Sequence, residues 1–193
     1  MPENNPSRKF PFHHGRLSLS FAGTVGDRGS LRTERLESPR ALAAWFGAAQ
    51  IAPGSVAVTP RAYQRALALR EAIARAADAI VARLKPSRHD VALINDVARK
   101  SSSRIALDAD TLTVVDAERD AVTAALGRIA RDAIELLGSA DERARLRTCS
   151  LTSCGAVFLT PAGRRERRWC SMARCGNRVK ASAHRKRVAA TGP

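Results

Sequence analysis

Cys149-Ser150-Leu151-Thr152-Ser153-Cys154-Gly155 is answered by Cys170-Ser171-Met172-Ala173-Arg174-Cys175-Gly176, the same phrase, Cys-Ser-x-x-x-Cys-Gly, begun 21 residues later. All four cysteines of the chain lie in these two stretches. Two short-spaced thiol pairs joined by a loop form the donor set of a tetrahedral zinc site, because each pair can place two thiolates on one ion. The glycine after each second cysteine suits the tight turn, since it takes positive φ without steric cost. Cys149, Cys154, Cys170 and Cys175 are therefore the expected ligands of one structural Zn2+, whose closed shell leaves no position for a substrate. Three other uses compete. Two disulfides would need an oxidising compartment, and Met1 to Phe10 has no apolar run to serve as a secretory signal. An iron–sulfur cluster also takes four thiolates, but the paired, glycine-followed spacing favours zinc. His184 could replace one cysteine in a Cys3His site.

Working outward, the region around the cysteines carries the charge. The chain has 193 residues and a net charge of +15. From Arg143 onward thirteen Lys and Arg face a single acid, Glu166, whereas residues 1–142 are nearly balanced. Such asymmetry is the footprint of a polyanion-binding module joined to a different kind of domain; a merely solubilising tail would need no metal-held fold. An apolar fraction of 45% is that of a globular protein. No apolar run approaches the ~18 residues of a membrane span, so a soluble, cytoplasmic protein is expected.

Ahead of the module the periodicity is mostly helical. Residues 1–16 read as a loose tail, His13 and His14 included, and Leu17-Ser-Leu-Ser-Phe21 alternates as a short strand does, with a second strand expected around Leu31. Ser38-Pro39 and Thr59-Pro60 are helix starts. The first helix should turn Leu42, Trp45 and Phe46 inward, and the second Ala66, Leu69, Ile73, Ala76, Ile80 and Leu84, with Glu71 and Arg75 paired on its exposed side. Ser87 to Asp90 resembles a capping box for a third helix that buries Val91, Ile94 and Ala98. Ile105–Leu107 and Leu112–Val115 suggest a hairpin, and Asp116 a cap for a fourth helix buried through Val122, Leu126, Ile129, Ala133 and Leu136. No catalytic constellation stands out here.

Within the module, residues 156–160 should be a strand and residues 164–169 its returning partner, a β-hairpin whose ends hold the metal. A helix then follows Ser171, with Met172, Cys175, Val179 and Ala183 on one face. Asn177, Lys180, His184 and Arg187 share an outward strip, and Arg174, Arg178 and Arg185 lie opposite. Together with Lys186 and the hairpin residues Arg164, Arg165, Arg167 and Arg168, these are the candidate nucleic-acid contacts, the cations for phosphates and Asn177 or Arg178 for base edges. Six to ten phosphate contacts would cost roughly 10³ to 10⁵ in affinity between 50 and 200 mM salt.

Arg168-Trp169-Cys170-Ser171-Met172-x-x-Cys175-Gly176-Asn177-Arg178-x-Lys180 resembles the signature of the CGNR zinc-finger family, and Leu17-Ser-Leu-Ser20-Phe21-Ala-Gly23-Thr24 followed by Ser38-Pro39-x-x-Leu42-x-x-Trp45 is similar to that family's opening. Serine and glycine stand at 20 and 23 where the family has aspartate and asparagine. The resemblance implies a two-domain bacterial protein, an N-terminal ABATE domain thought to act in stress-linked transcription regulation and a C-terminal zinc finger thought to bind DNA. The expected architecture is α+β: a tail (1–16), a predominantly helical N-terminal domain with a small β-sheet (17–142), a connector (143–147) and a zinc-bound β-hairpin–helix module (148–190). The expected function is a zinc-dependent transcription regulator that binds duplex DNA, senses a small-molecule effector or partner through its front domain, and is not an enzyme; homodimerisation fits this class. The competing reading is a zinc-stabilised RNA-binding or protein-interaction module.

Overall fold

The computed structural model describes residues 10–101, 105–112, 114–116, 120–163 and 167–190. Leu17–Ala22 is a short helix, α1, where the alternation predicted a strand. Burial explains the reversal. Ser18 and Ser20 are as inaccessible as Leu19, Phe21 and Ala22, so the polar positions do not mark a solvent face. Asp132 caps α1 from a distance, accepting from the Ser18 backbone N–H at 2.8 Å and the Ser18 hydroxyl at 2.5 Å, at the helix's positive end. Two short antiparallel strands follow, β1 (Val25–Gly26) and β2 (Thr33–Glu34), and Leu31 stands 91% exposed between them rather than in a strand.

The longer helices start at their capping residues. α2 (Pro39–Ala48), α3 (Pro60–Val81) and α4 (Arg88–Lys100) begin after Ser38, Thr59 and Ser87, whose side chains accept from the N–H three residues on. β3 (Ile105–Leu107) and β4 (Val114–Asp116) pair as the expected hairpin, Ala106 opposite Val115. Asp116 is thereby spent in a strand, and Asp120 caps α5 (Ala121–Gly138) in its place. Two apolar residues miss their expected burial. α3 stops at Val81, the chain turns at Arg83 with φ +60, and Leu84 is left exposed. On α4, Val97 rather than Val91 joins Ile94 in the core.

α3, α4 and α5 pack against one another, and α1 crosses α3 and α5. Their common core holds Phe21, Leu42, Trp45, Phe46, Leu69, Ile73, Ile94 and Ile129, each such side chain contributing about 1.5–3 kcal/mol. The stretch expected to be loose joins this core from Phe10 onward. Phe10 is buried, Phe12 stacks on Trp45 at 5.7 Å, and Arg16 pairs with Asp132 (3.1 Å), Glu135 (2.9 Å) and Glu142 (3.4 Å). Residues 1–9 lie outside the described residues.

Glu71 does not pair with Arg75. It faces Arg28 (2.9 Å), Arg70 (3.0 Å) and Arg32 (3.1 Å), while Arg75 closes on the buried Asp90 at 2.5 Å. Arg70 is buried and forks onto Glu34 at 2.7 and 2.8 Å, anchoring β2 to α3.

After α5, α6 (Ala140–Ala144) leads into β5 (Leu146–Thr148), which pairs antiparallel with β6 (Val157–Leu159), Leu146 opposite Leu159. Residues 157–159 thus pair with the strand before the first cysteine; of the expected return segment at 164–169, residues 164–166 lie outside the described residues and 167–169 form no strand. Packing decides this: Leu146 and Leu159 bury with Leu19 of α1, Ala77 of α3 and Leu136 of α5, whereas the arginine-rich return segment has no such apolar pair. Among the described residues no helix is long and apolar enough to cross a membrane.

Candidate metal centre and the surface it carries

The β5–β6 connection holds the first cysteine pair. Cys149 follows β5 and donates its N–H to the Ala156 carbonyl at 2.9 Å, while the Cys154 N–H reaches Leu151 O at 2.8 Å, folding the turn so that both thiols point inward. Gly155 is left-handed (φ +58), and a Cβ there would lie 2.8 Å from Gly29 N. Gly29 in turn lies so close to the Thr152 carbonyl that a Cβ would clash. These glycines let the 27–30 loop sit directly on the cysteine turn, where the Arg28 N–H donates to Cys154 O at 3.0 Å.

The second pair arrives through Ser150 N–H, which holds the Arg168 carbonyl at 2.8 Å. Ser171 caps the turn beyond Cys170, accepting from Arg174 N–H at 3.3 Å. Met172–Gly176 then winds as π-helix, Gly176 N–H reaching Ser171 O at 3.1 Å, before α7 (Asn177–Ala190) continues as α-helix. The wide turn has a reason. Residues five apart on an α-helix point about 140° from one another, and an i→i+5 turn brings Cys175 back over Cys170.

The four sulfurs are buried, and all lie within 4.8 Å of one another. Cys170 Sγ stands 3.7 Å from Cys154 Sγ and 3.6 Å from Cys175 Sγ. A disulfide needs about 2.05 Å, whereas a tetrahedron of Zn–S bonds near 2.3 Å has edges of about 3.8 Å. The residues fit one zinc ion. Hydrogen bonds from the Cys170 thiol, the Ala156 N–H and the other cysteines lower Cys154 against its burial, while the hydrogen bond to Cys154 raises Cys170, and burial and the Cys154 charge raise Cys175. Four thiolates this close need a cation among them, and bound zinc supplies that charge and cross-links both pairs. Phe158, fully buried, and Trp169 cover the cluster, and Arg167 lies 4.9 Å over the Phe158 ring.

Of the predicted polyanion contacts, Asn177, Lys180, His184, Arg185 and Arg187 are exposed along α7, and Arg174 is exposed at its start. Others have structural employment. Arg178 pairs with Asp27 at 3.0 Å, Arg167 donates to Leu159 O at 3.1 Å, and Arg168 lies 5.1 Å over the Trp169 ring. Arg164, Arg165 and the Lys186 side chain lie outside the described residues. The expected inward face of the helix is also smaller than its sequence suggested. Cys175 is buried and Val179 half-buried, but Met172 and Ala183 are exposed, because beyond its first turn α7 leaves the module and stands in solvent.

His13 and His14 are the residues that sequence reasoning placed wrongly. Each has a ligand atom within 4.8 Å of Cys170 Sγ, and His14 is 2% exposed and accepts Leu159 N–H on its carbonyl at 2.8 Å. Burial, then His13 and neighbouring arginines, lowers His14 to about 3; burial and Arg174, Arg167 and Arg35 lower His13 to about 4. Both rings are neutral at pH 7 and form a layer outside the four sulfurs. Arg35, also missed, shares the small cleft between His13, Arg174 and Cys170, so the positive field of the module extends onto the helical domain. Adjacent histidines just ahead of Leu17 were the only signal of this layer in the sequence.

A family model described as "ABATE: Putative stress-induced transcription regulator" matches residues 15–140, and one described as "CGNR zinc finger" matches residues 145–188. No curated protein matches the chain.

Proposed function

Because the chain belongs to the ABATE family and carries a CGNR zinc finger, we propose that it is a zinc-dependent DNA-binding transcription regulator. One observation carries the reading: α7 is anchored at Cys175 in the metal cluster and otherwise exposes Lys180, Arg185 and Arg187 to solvent. A helix rigidly held at one end and cationic over its free surface suits a DNA groove, with the cations on phosphates and Asn177 near base edges. The zinc is structural in this reading, and no catalytic step is assigned. The helical domain supplies sensing or partner contact.

Three predicted arginines are engaged internally, so the six to ten expected phosphate contacts fall to about three to seven. The matching loss of affinity between 50 and 200 mM salt is roughly 10² to 10⁴. Fluorescence anisotropy of the zinc-loaded chain on duplex DNA, with RNA of the same sequence as competitor, tests this. A duplex preference with that salt dependence supports the reading. Tighter binding to RNA, or indifference to salt, replaces it with the polyanion or protein-interaction alternative.

A further inference from the structure

Between the C-terminal ends of α3 and α5 and the start of α4 runs an apolar groove of about 580 Å³. Ile80, Ile94 and Leu137 form its floor, and Leu84, Val91 and Ile134 its partly exposed lips. Three cations stand on the rim, Arg83, Lys85 and Arg143, and no acid lines it. Among the described residues neither Arg83 nor Lys85 has an ion pair, and the Arg143 guanidinium donates to the Leu137 carbonyl at 2.7 Å without meeting an acid. The size is that of a small-molecule site, and convergent polar groups on an apolar cleft fix how a ligand lies in one.

We propose that this groove binds an amphipathic anion, a hydrocarbon chain ending in a carboxylate, with the chain along Ile80, Ile94 and Leu137 and the carboxylate on Arg83, Lys85 and Arg143. The charge selects this occupant. A second copy docked face to face would set the same cations against each other, and a cationic or neutral amphiphile would leave them unmet. The position suits an effector. Arg143 belongs to α6, and Arg145, two residues on, donates to Thr160 O at 2.9 Å while its carbonyl accepts Thr160 N–H at 3.1 Å, just past β6. A carboxylate that draws Arg143 off Leu137 thus acts on the segment tied to the zinc hairpin. The proposal names a ligand for the sensing domain and rests on the regulator reading only for its link to DNA.

Calorimetric titration of the zinc-loaded full chain with decanoate, dodecanoate and dodecylamine below their micellar concentrations is the test. One carboxylate should bind per chain, two added methylenes should tighten binding about tenfold, and dodecylamine should bind at least tenfold more weakly. Val91→Glu, at an exposed helix position, should weaken dodecanoate at least tenfold with unchanged far-UV circular dichroism, and Arg83→Glu with Lys85→Glu should reverse the charge preference. Equal binding of amine and carboxylate, no dependence on chain length, no binding, or a dimer that Val91→Glu dissolves would each overturn the proposal. DNA binding is read on the same samples. Dodecanoate should shift duplex affinity at least threefold in the wild type and not in Val91→Glu. Carboxylate binding without any DNA binding would sink the regulator reading and leave the groove assignment standing; DNA binding that ignores bound dodecanoate would overturn its effector role.

Discussion

Leu146→Ala tests whether the zinc module and the helical domain are one folding unit. Leu146 opens β5, is 2% exposed, and shares its apolar cluster with Leu19, Ala77, Leu136 and Leu159, three of which belong to the helices. Truncating a leucine so enclosed costs about 2–5 kcal/mol, because the cavity between three helices and a hairpin cannot collapse fully. At a middle value near 3 kcal/mol, the thermal midpoint should fall by about 6–12 °C for a protein of this size. The same loss weakens the docked, zinc-holding state, so zinc affinity should drop by up to about a hundredfold. Both effects belong in one urea titration of the zinc-loaded chain, with helix content followed by circular dichroism and released zinc by a chelating dye. The two signals should move together and shift to lower urea by the same free energy. If zinc is released earlier while the helical transition stays in place, the module is an independent bead and the docking argument fails.

Three further outcomes follow from the same geometry. Cys175→Ser should lose the metal site, whose zinc is worth about 10–16 kcal/mol in small zinc-finger peptides, and should shift the unfolding of the helices docked on the module to lower urea with it; Trp169 fluorescence and bound-zinc stoichiometry report the site, and a full complement of tightly held zinc in this variant would contradict the ligand assignment. Burial raises the Glu71 carboxyl, but Arg28, Arg70 and Arg32 outweigh it and hold Glu71 at about 2. A carboxyl depressed in the fold adds stability that is whole above its unfolded value near 4.3 and fades as pH falls through about 2. The stability gap between wild type and Glu71→Gln should therefore shrink on acidification across that window, and a gap that widens would show the cluster is misjudged. Lys180→Ala and Arg185→Ala should each lower the slope of log affinity against log salt by about 0.9 on duplex DNA without changing the melting temperature, and unchanged slopes would remove α7 from the interface.

What the sequence by itself determined is local. The paired Cys-Ser-x-x-x-Cys-Gly phrases identify four ligands because metal spacing is set by a few bonds of backbone. Ser38, Thr59 and Ser87 announce their helices because a cap acts on the next three residues. Failures occur where distant chain supplies the decisive partner. Leu17–Ala22 is a helix because α3, α5 and Asp132 enclose and cap it, β6 pairs with β5 where Leu146 shares Leu159's buried cluster, and Glu71 serves three arginines brought from the 28–32 loop and its own helix. His13 and His14 reach the cysteines because the His14 carbonyl accepts the Leu159 N–H and seats them against the hairpin, so their neutrality and burial are properties of the assembled protein. Spacing along the chain can specify a turn or a ligand pair; which surface loses its water is decided only when elements far apart in sequence close on one another.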